Sequence, residues 1–260
     1  MKLPQYDNET IKKIKEAGNY PSICFLTCGA SEVLLKSLDS IIENTEIPYE
    51  FIMLGQGCSG DVIIEMNTLL EKMKKSKYCL NIKAQTFPYN EGFVVGMNEI
   101  MKLATGKWII PFSDDIIVPK GWLSALIEKA KSDKSLGLIG FKNYSREAYL
   151  LIENKNDHRW DVDHTVMISA ICCLITREAY QKVGDFDYRF GKGVCEDDDY
   201  NLRMRMFGFK IGEVDTVNIE HVHSSSWKKL LSVEERKRNM AIQADILNQK
   251  WKPFKILRVV

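Results

Sequence analysis

Two neighbouring carboxylates, Asp114 and Asp115, follow Ser113 at the end of the apolar run 108–112, which has the length and composition of a buried strand. A charge buried at a strand end needs a partner. A divalent cation supplies one, because Mg²⁺ and Mn²⁺ bind carboxylate oxygens together with substrate phosphates. The pattern therefore predicts a site for a metal and a nucleotide diphosphate. The alternative is that the pair only caps the next helix or solvates a turn.

A second segment also carries side chains that could take part in a reaction. It begins with four consecutive carboxylates, Glu196, Asp197, Asp198 and Asp199, and continues as a helical pattern that ends at Gly208. The positive end of the helix dipole favours acids, but four exceed what capping requires. Crowding of like charges raises a carboxyl pKa, and a raised pKa suits a general base that takes a proton from a hydroxyl near neutral pH. A solvated acidic cap is the alternative.

Two of the four histidines, His221 and His223, follow the last strand-like run of this region. We expect one of the two to close the crevice as a further metal ligand beside the acids. A histidine with satisfied hydrogen bonds and a structural role is the more common case, so that alternative stays open.

The elements that must position these groups alternate along the first half of the chain. Short apolar runs alternate with amphipathic runs of helix length, which is typical of a parallel βαβ sheet. In doubly wound sheets, ligands bind beyond the carboxyl ends of the strands, so Thr27, the glycine-rich break 55–57 and the acid pair are expected to line one crevice. The predicted strands of this half are 22–27, 49–54, 78–84 and 108–112.

Capping preferences place two further helix starts of the first half at Asn90, as an N-cap, and at Pro119. The second half has a less regular pattern. The polar stretch 142–164 reads as an excursion from the sheet, and the glycine-punctuated stretch 184–193 reads as a loop. The remaining predicted elements are strands at 136–141, at 166–175 and up to Ile219, and helices at 177–183, 196–208 and 232–250.

Composition narrows the class of protein. The 260 residues contain 36 Lys+Arg and 35 Asp+Glu, and a net charge of +1 argues against nucleic acid as the partner. The seven cysteines form no CxxC pair, which indicates buried thiols in a reducing cytosol.

With no signal-peptide pattern and no apolar run of membrane length, we expect a soluble cytoplasmic protein. The tail 251–258 alternates cations with apolar residues, as segments resting on anionic membranes do; a packed or frayed C-terminus is the alternative.

Taken in order, these sites resemble those of the family 2 glycosyltransferases, which have the GT-A fold, over about residues 22–251. The motifs that carry the resemblance are a first strand ending at Thr27, Asn90-Glu91-Gly92, Ser113-Asp114-Asp115 in the place of the family's Asp-x-Asp, the stretch 118–123 with its Pro-x-Trp-Leu-like helix start, and Glu196-Asp197. Two positions depart from the family. The turn 55–59 lacks the acid that commonly holds the base of the nucleotide, and Ser113 replaces the first acid of Asp-x-Asp.

The resemblance implies an α/β protein with a single GT-A (Rossmann-like) domain, in which helices flank a central, mostly parallel sheet and a helical extension follows. It places an N-terminal helical extension at 1–21, the catalytic domain at 22–227 and a C-terminal helix and tail at 228–260. Within the catalytic domain, 22–115 is the nucleotide-binding half and 116–227 the acceptor half.

The resemblance also implies a role for each site residue. Asp197 is the base that activates the acceptor, and Glu196 orients the acceptor or the neighbouring loop. Asp115 binds Mn²⁺ or Mg²⁺ together with His221 or, as second choice, His223. The residues expected to contact the nucleotide sugar are Thr27, Gly55, Gln56, Asn90, Gly92, Asp114 and Asp115.

The implied reaction transfers a sugar from a nucleoside diphosphate sugar to an acceptor hydroxyl with inversion. Its acceptor is a glycan, a lipid-linked glycan or a protein. Two alternatives stay open: a catalytically degenerate module that binds a nucleotide sugar or a protein, and a nucleotidyltransferase. The nucleotidyltransferase predicts a basic phosphate loop, which 28–31 lacks. The aromatic residues of 185–193 are expected either to close over the sugar and stack on the acceptor or to be buried beneath an ordinary loop.

Overall fold

The computed structural model describes residues 6–29, 33–153, 160–222 and 231–252. Within these ranges, the helices follow the predicted amphipathic runs closely. They are α1 (Asn8–Glu16), α2 (Leu34–Asn44), α3 (Gly60–Lys74), α4 (Phe93–Lys102), α5 (Trp122–Ser132), α6 (Arg177–Val183), α7 (Glu196–Met206) and α8 (Val233–Trp251).

The strands of the first half follow the predicted apolar runs, but two of them extend two or three residues beyond the predicted ends. Eleven strands lie within the described ranges. They are β1 (Pro21–Thr27), β2 (Tyr49–Gln56), β3 (Cys79–Phe87), β4 (Trp108–Ser113), β5 (Ile116–Ile117), β6 (Leu136–Phe141), β7 (Ser145–Glu153), β8 (Trp160–Ile168), β9 (Leu174–Thr176), β10 (Lys210–Val214) and β11 (Glu220–His221).

Seven strands form one central sheet in the order β10-β6-β9-β4-β1-β2-β3. The strand β9 runs antiparallel to both of its neighbours, and the other pairs of this sheet are parallel. Thr27 lies opposite Gly55, and Leu26 lies opposite Ser113, so the carboxyl ends of β1, β2 and β4 meet at one edge. The expected α/β architecture with a mostly parallel sheet is confirmed.

Both faces of the sheet are covered, because successive side chains of a strand point to opposite faces. On β1, Phe25 packs with α2, α3 and α5, whereas Cys24 packs with α4, α6 and α7. Trp122 of α5 is fully buried edge-on against Phe112 of β4, at 5.6 Å between ring centroids. These two layers hold the strand ends rigidly in place.

The apolar run 166–175 does not form the single strand that was predicted. It supplies the end of β8 and the start of β9, and the intervening residues turn between two different sheets. The excursion 142–164 contains a 3₁₀ turn and the β7–β8 hairpin, whose connection 154–159 lies outside the described residues. The predicted strand up to Ile219 is also wrong, since β10 ends at Val214 and a separate short strand, β11, follows.

Two predicted helix starts lie too early. The side chain of Asn90 accepts a hydrogen bond from Gly92 N at 2.9 Å, which turns the chain before α4, and Gly92 is the N-cap. Gly121, not Pro119, precedes α5. The start of α8 at Ser232 is confirmed, with a capping box formed with Glu235.

A buried carboxylate, Glu50 of β2, joins strands and a loop at the opposite edge of the sheet. Lys83 of β3 lies 2.7 Å away, and Ser22 and Thr105 donate hydrogen bonds to it. Burial opposes its ionisation, but the hydrogen bonds outweigh burial and hold the pKa of Glu50 below its ordinary value. This carboxylate therefore has a structural role.

Glu50→Ala is expected to lower the free energy of unfolding by about 3–5 kcal/mol at pH 7, because Lys83 loses its carboxylate. Exposed Glu43→Ala, the control, should cost about 1 kcal/mol or less. Because the folded pKa of Glu50 is depressed, its stabilisation is present above the unfolded pKa, about 4.3, and disappears as the pH falls through the folded value. Urea unfolding at pH 7 and at pH 3 tests both statements; an equal loss at both pH values would contradict them.

Candidate active site

The first acid of the pair, Asp114, is held against the end of β1. Thr27 Oγ1 donates a hydrogen bond to Asp114 Oδ2 at 2.5 Å, and Gly29 N donates to Thr27 Oγ1 at 3.0 Å. Burial raises the pKa of Asp114 to about 7 against the hydrogen bond from Thr27, and the charge of Asp115 adds to the rise. The predicted residues Thr27 and Asp114 are thus in direct contact, and the buried carboxyl of Asp114 is the group that titrates.

The second acid, Asp115, meets His221 from the far end of the chain. Asp115 Oδ2 lies 3.1 Å from His221 Nε2. This contact results from the antiparallel pairing of β5 with β11, in which His221 lies opposite Ile116. Beside it, Val222 N donates a hydrogen bond to Asp115 O at 2.9 Å. Tyr144 fixes the histidine further: its hydroxyl accepts from His221 N at 3.0 Å, and its ring meets the imidazole edge-on. His223 lies outside the described residues.

The chemistry of this donor pair fits a divalent cation. Among the described residues, no group of three or more His, Cys, Asp and Glu side chains is arranged as a metal site. Mg²⁺ takes few protein ligands and completes its shell with phosphates and water, and adjacent ligands at about 2.1 Å from an octahedral ion are about 3 Å apart. The oxygen of Asp115 and the nitrogen of His221 are 3.1 Å apart, which is a hydrogen-bond distance and is also the spacing of two adjacent ligands.

The turn after β2 contains no acid in the described structure. Gln56 is buried, and its amide accepts from Glu91 N at 3.1 Å and donates to Gly92 O at 3.2 Å. The side chain therefore holds the 90–92 loop. The thiol of Cys58 packs on the backbone beside Gly55, and burial raises its pKa to about 11, so the thiol is neutral at physiological pH.

Gly92 allows two loops to approach closely. Its φ is +96°, and a Cβ at this position would lie 2.8 Å from Gly191 O. Val94 N donates to the same carbonyl at 3.2 Å. The motif Asn90-Glu91-Gly92 thus connects the end of the sheet to the 184–193 loop.

Gly92→Ala is expected to lower stability by about 1–3 kcal/mol, because alanine is strained at this φ and collides with the 184–193 loop. Gly60→Ala is the matched control. Its Cβ meets nothing within 4 Å at the start of α3, so it should be neutral or stabilising by up to about 1 kcal/mol. Thermal and urea unfolding of both variants measure the difference, and equal stability would remove the role assigned to Gly92.

The 184–193 loop is fastened to α4 through an asparagine that sequence reasoning did not single out for this role. Asn98 donates to Phe186 O and accepts from Phe186 N, both at 2.9 Å, as a paired strand would. Phe186 and Phe190 are buried in the core, whereas Tyr188 is 48% exposed. Of the two expectations for this loop, buried aromatics describe both phenylalanines, and only Tyr188 is available to a substrate.

The acids at the start of α7 divide into two pairs. Asp199 is fully buried and accepts from Arg203 Nε at 2.9 Å, and Asp198 forms an ion pair with Arg146. Both therefore stabilise the fold. Glu196 and Asp197, the residues expected to be catalytic, lie at the very start of the helix.

Glu196 is a buried carboxyl with unusual properties. Burial, and then the charge of Asp197, raise the pKa of Glu196 well above its ordinary value. In the described part of the chain, Glu196 Oε2 has no hydrogen-bond partner. Val194 and Cys195 precede it with φ of +78° and +66°, a conformation that is unfavourable for a β-branched residue. Such strain persists only where the surroundings enforce it.

Two contacts relate these acids to the other motifs. The carboxyl of Glu196 lies beside Gly193, which also packs against Phe93 at the start of α4. The charge of Asp197 acts on the thiol of Cys173, whose pKa is raised mainly by burial, and Cys173 N donates to Pro111 O of β4 at 3.4 Å. Glu196 is thus near the 184–193 loop, and Asp197 lies within electrostatic range of a residue that is hydrogen-bonded to β4.

A cavity of about 570 Å³ lies elsewhere, along the outer strand β10. Lys129, Arg205, Lys210 and Glu213 are among its lining residues, and none of the predicted site residues lines it. Its lining mixes both signs of charge. The cavity is therefore separate from the strand ends, where Thr27 contacts Asp114 and Asp115 contacts His221.

Solved structures with the same architecture carry nucleotide ligands. The chain is similar to a mannosyltransferase from Pyrobaculum calidifontis in complex with GDP-Man and Mn²⁺, with a TM-score of 0.63, 14% identity, and coverage of 90% of this chain and 67% of that one. It is also similar to GalNAc-T7 with UDP, GalNAc and Mn²⁺, with a TM-score of 0.60, 13% identity, and coverage of 86% of this chain and 48% of that one. At such identities, the likeness shows the fold. The chain matches no curated protein sequence.

The profile of the family described as Glycosyl transferase family 2 matches residues 22–184, more than half of the chain. The chain therefore belongs to glycosyl transferase family 2, with a GT-A fold. The family resemblance drawn from the motifs is confirmed. In the described part of the chain, no helix is both long and apolar enough to cross a bilayer.

Proposed function

We propose that this glycosyltransferase moves a sugar from a nucleoside diphosphate sugar to an acceptor hydroxyl, with inversion and with Mn²⁺ or Mg²⁺ as cofactor. The observation that carries the proposal is the contact between Asp115 and His221 at the end of β4, in a chain of this family. The GDP-Man, UDP and Mn²⁺ of the two similar structures support the donor class and the metal.

Asp115 and His221 would hold the cation, which when bound neutralises charge on the leaving diphosphate. Asp114, fixed by Thr27, lies next to the cation site and is placed to accept a hydrogen bond from a donor hydroxyl. Asn90 and Gly92 shape the loop beside it. Gln56 supports that loop from beneath, which gives it an indirect part in donor binding.

Asp197 acts as the base. The acceptor oxygen bonds to the anomeric carbon as the bond from that carbon to the diphosphate oxygen breaks, and the acceptor proton passes to the Asp197 carboxylate. A single displacement of this kind inverts the anomeric centre and needs no second nucleophile. Glu196, whose pKa is raised by burial, orients the acceptor by donating a hydrogen bond in its protonated form.

A thermal shift panel of nucleoside diphosphates and their sugars, with and without Mn²⁺, tests this function first. A rise in melting temperature that needs both Mn²⁺ and one diphosphate supports the transferase and identifies its base. Mass spectrometry with glycan, lipid-linked glycan and protein acceptors then tests transfer. Donor binding without transfer to any acceptor would favour the degenerate binding module, and no binding at all would reject the proposal.

A further inference from the structure

The C-terminal end of α8 packs against α7, the helix that begins with Glu196. Lys250 Nζ lies 2.6 Å from Asp199 Oδ1 and 2.7 Å from Asp187 Oδ2. Trp251 is buried, and its Nε1 donates to the same Asp199 Oδ1 at 2.9 Å. Two adjacent side chains of the last described helix therefore contact the third residue after Glu196.

Asp199 connects three parts of the chain. Besides its contacts with α8, its other oxygen accepts from Arg203 Nε at 2.9 Å. The guanidinium of Arg203 also donates to Val183 O and Asp185 O, both at 2.8 Å. A fully buried carboxylate with three donors is costly to leave unpaired, so these partners stay together in the folded state.

The second contact of Lys250 holds the 184–193 loop. Asp187 begins the 3₁₀ turn of that loop, and its charge also pairs with Arg189. Further along the loop, Gly191 O accepts a hydrogen bond from Val94 N, next to the motif Asn90-Glu91-Gly92. The loop is thus fastened to α4 on one side and to α8 on the other, and Glu196 lies beside its last glycine, Gly193.

We propose that Lys250 and Trp251 are positioning residues for sugar transfer: through Asp187 and Asp199 they fix the 184–193 loop and the first turn of α7 against each other. The inference rests on the proposed function. The unfavourable backbone of Val194 and Cys195 lies between these two fixed points, which explains how it persists. We name this set of contacts the α8 anchor: Asp187, Asp199, Lys250 and Trp251.

Trp251→Phe and Lys250→Met test the anchor. The first keeps one aromatic ring but removes the N–H together with the five-membered ring of the indole, and the second keeps most of the stem and removes the charge. Each is expected to lower kcat for transfer about tenfold to a hundredfold, with the donor-dependent thermal shift in Mn²⁺ unchanged. Lys250→Arg should recover most of kcat, since it retains a cation. Lys237→Met, at an exposed position of the same helix, should behave as wild type.

Amide hydrogen exchange provides a readout that does not depend on activity. Faster exchange confined to 184–199 in Trp251→Phe and Lys250→Met supports the anchor. Unchanged exchange overturns it, and so does faster exchange with an unchanged kcat. If the wild type transfers no sugar while both variants exchange faster, the contacts are real and the proposed function has failed, so the two failures are distinguishable.

Discussion

Asp115→Asn is expected to abolish the Mn²⁺-dependent rise in melting temperature with the preferred nucleoside diphosphate and to lower sugar transfer about a hundredfold or more. The amide is nearly isosteric with the carboxylate but carries no charge, so the cation loses its anionic protein ligand. His221 would keep its hydrogen bond with Tyr144 and its pairing with β5, because both use the backbone. The effect would therefore report on ligand chemistry with little change in fold.

Asp39→Asn is the control for this experiment. Asp39 lies on α2, exposed and paired with Lys72 at 2.6 Å, and such surface pairs contribute about 1 kcal/mol or less. Thermal shift and transfer assays of the two variants are compared at the same Mn²⁺ concentrations. If Asp115→Asn still shows stabilisation that depends on Mn²⁺, the cation binds elsewhere and the assignment of Asp115 is wrong.

Asp197→Asn is expected to lower kcat about 10²- to 10⁴-fold, with donor binding retained, because the amide cannot accept the proton of the acceptor. The variant separates catalysis from binding. Thermal shift with donor and Mn²⁺ measures donor binding, and product formation measures sugar transfer. Asp61→Asn is the matched control, since Asp61 is also an acid in the first turn of a helix but is exposed. A loss of much less than a hundredfold would exclude Asp197 as the base.

The same substitution has a second expected effect, on Glu196. The charge of Asp197 contributes to the raised pKa of Glu196, so its removal favours ionisation and moves that pKa down. NMR titration of the labelled Glu196 carboxyl in wild type and in Asp197→Asn follows the shift directly. A pKa that is the same in the variant and in the wild type would assign the whole effect to burial.

The ends of β1 and β4 were predictable within one residue, because buried parallel strands are continuous apolar runs and these two runs stop at a polar residue. The edge strand β3 is half-exposed and continues to Phe87, three residues beyond its predicted end at Ala84. Residues 22–27 and 108–112 needed nothing beyond that pattern. The run 166–175 is just as apolar, but it belongs to β8 and β9 in different sheets. An apolar pattern predicts that a segment is buried, but it does not predict which sheet the segment joins.

The motif acids were predictable as chemistry, whereas their supports were not. Asp198 and Asp199 are separated from the two acids that we propose to be catalytic, Glu196 and Asp197, by their ion pairs with Arg146 and Lys250. These two partners are distant in sequence and carry no local signal. The same is true of Tyr144 and Asn98. Their side chains replace backbone hydrogen bonds across loops, and such roles are defined by tertiary neighbours alone.

The pairing of Asp115 with His221 spans 106 positions of the chain. A ribosome adding about 5–20 residues per second synthesises the histidine roughly 5–20 s after the acid. The proposed cation site is therefore assembled from two segments that are made at different times, and a chain truncated before residue 221 would contain Asp115 without the imidazole that contacts it.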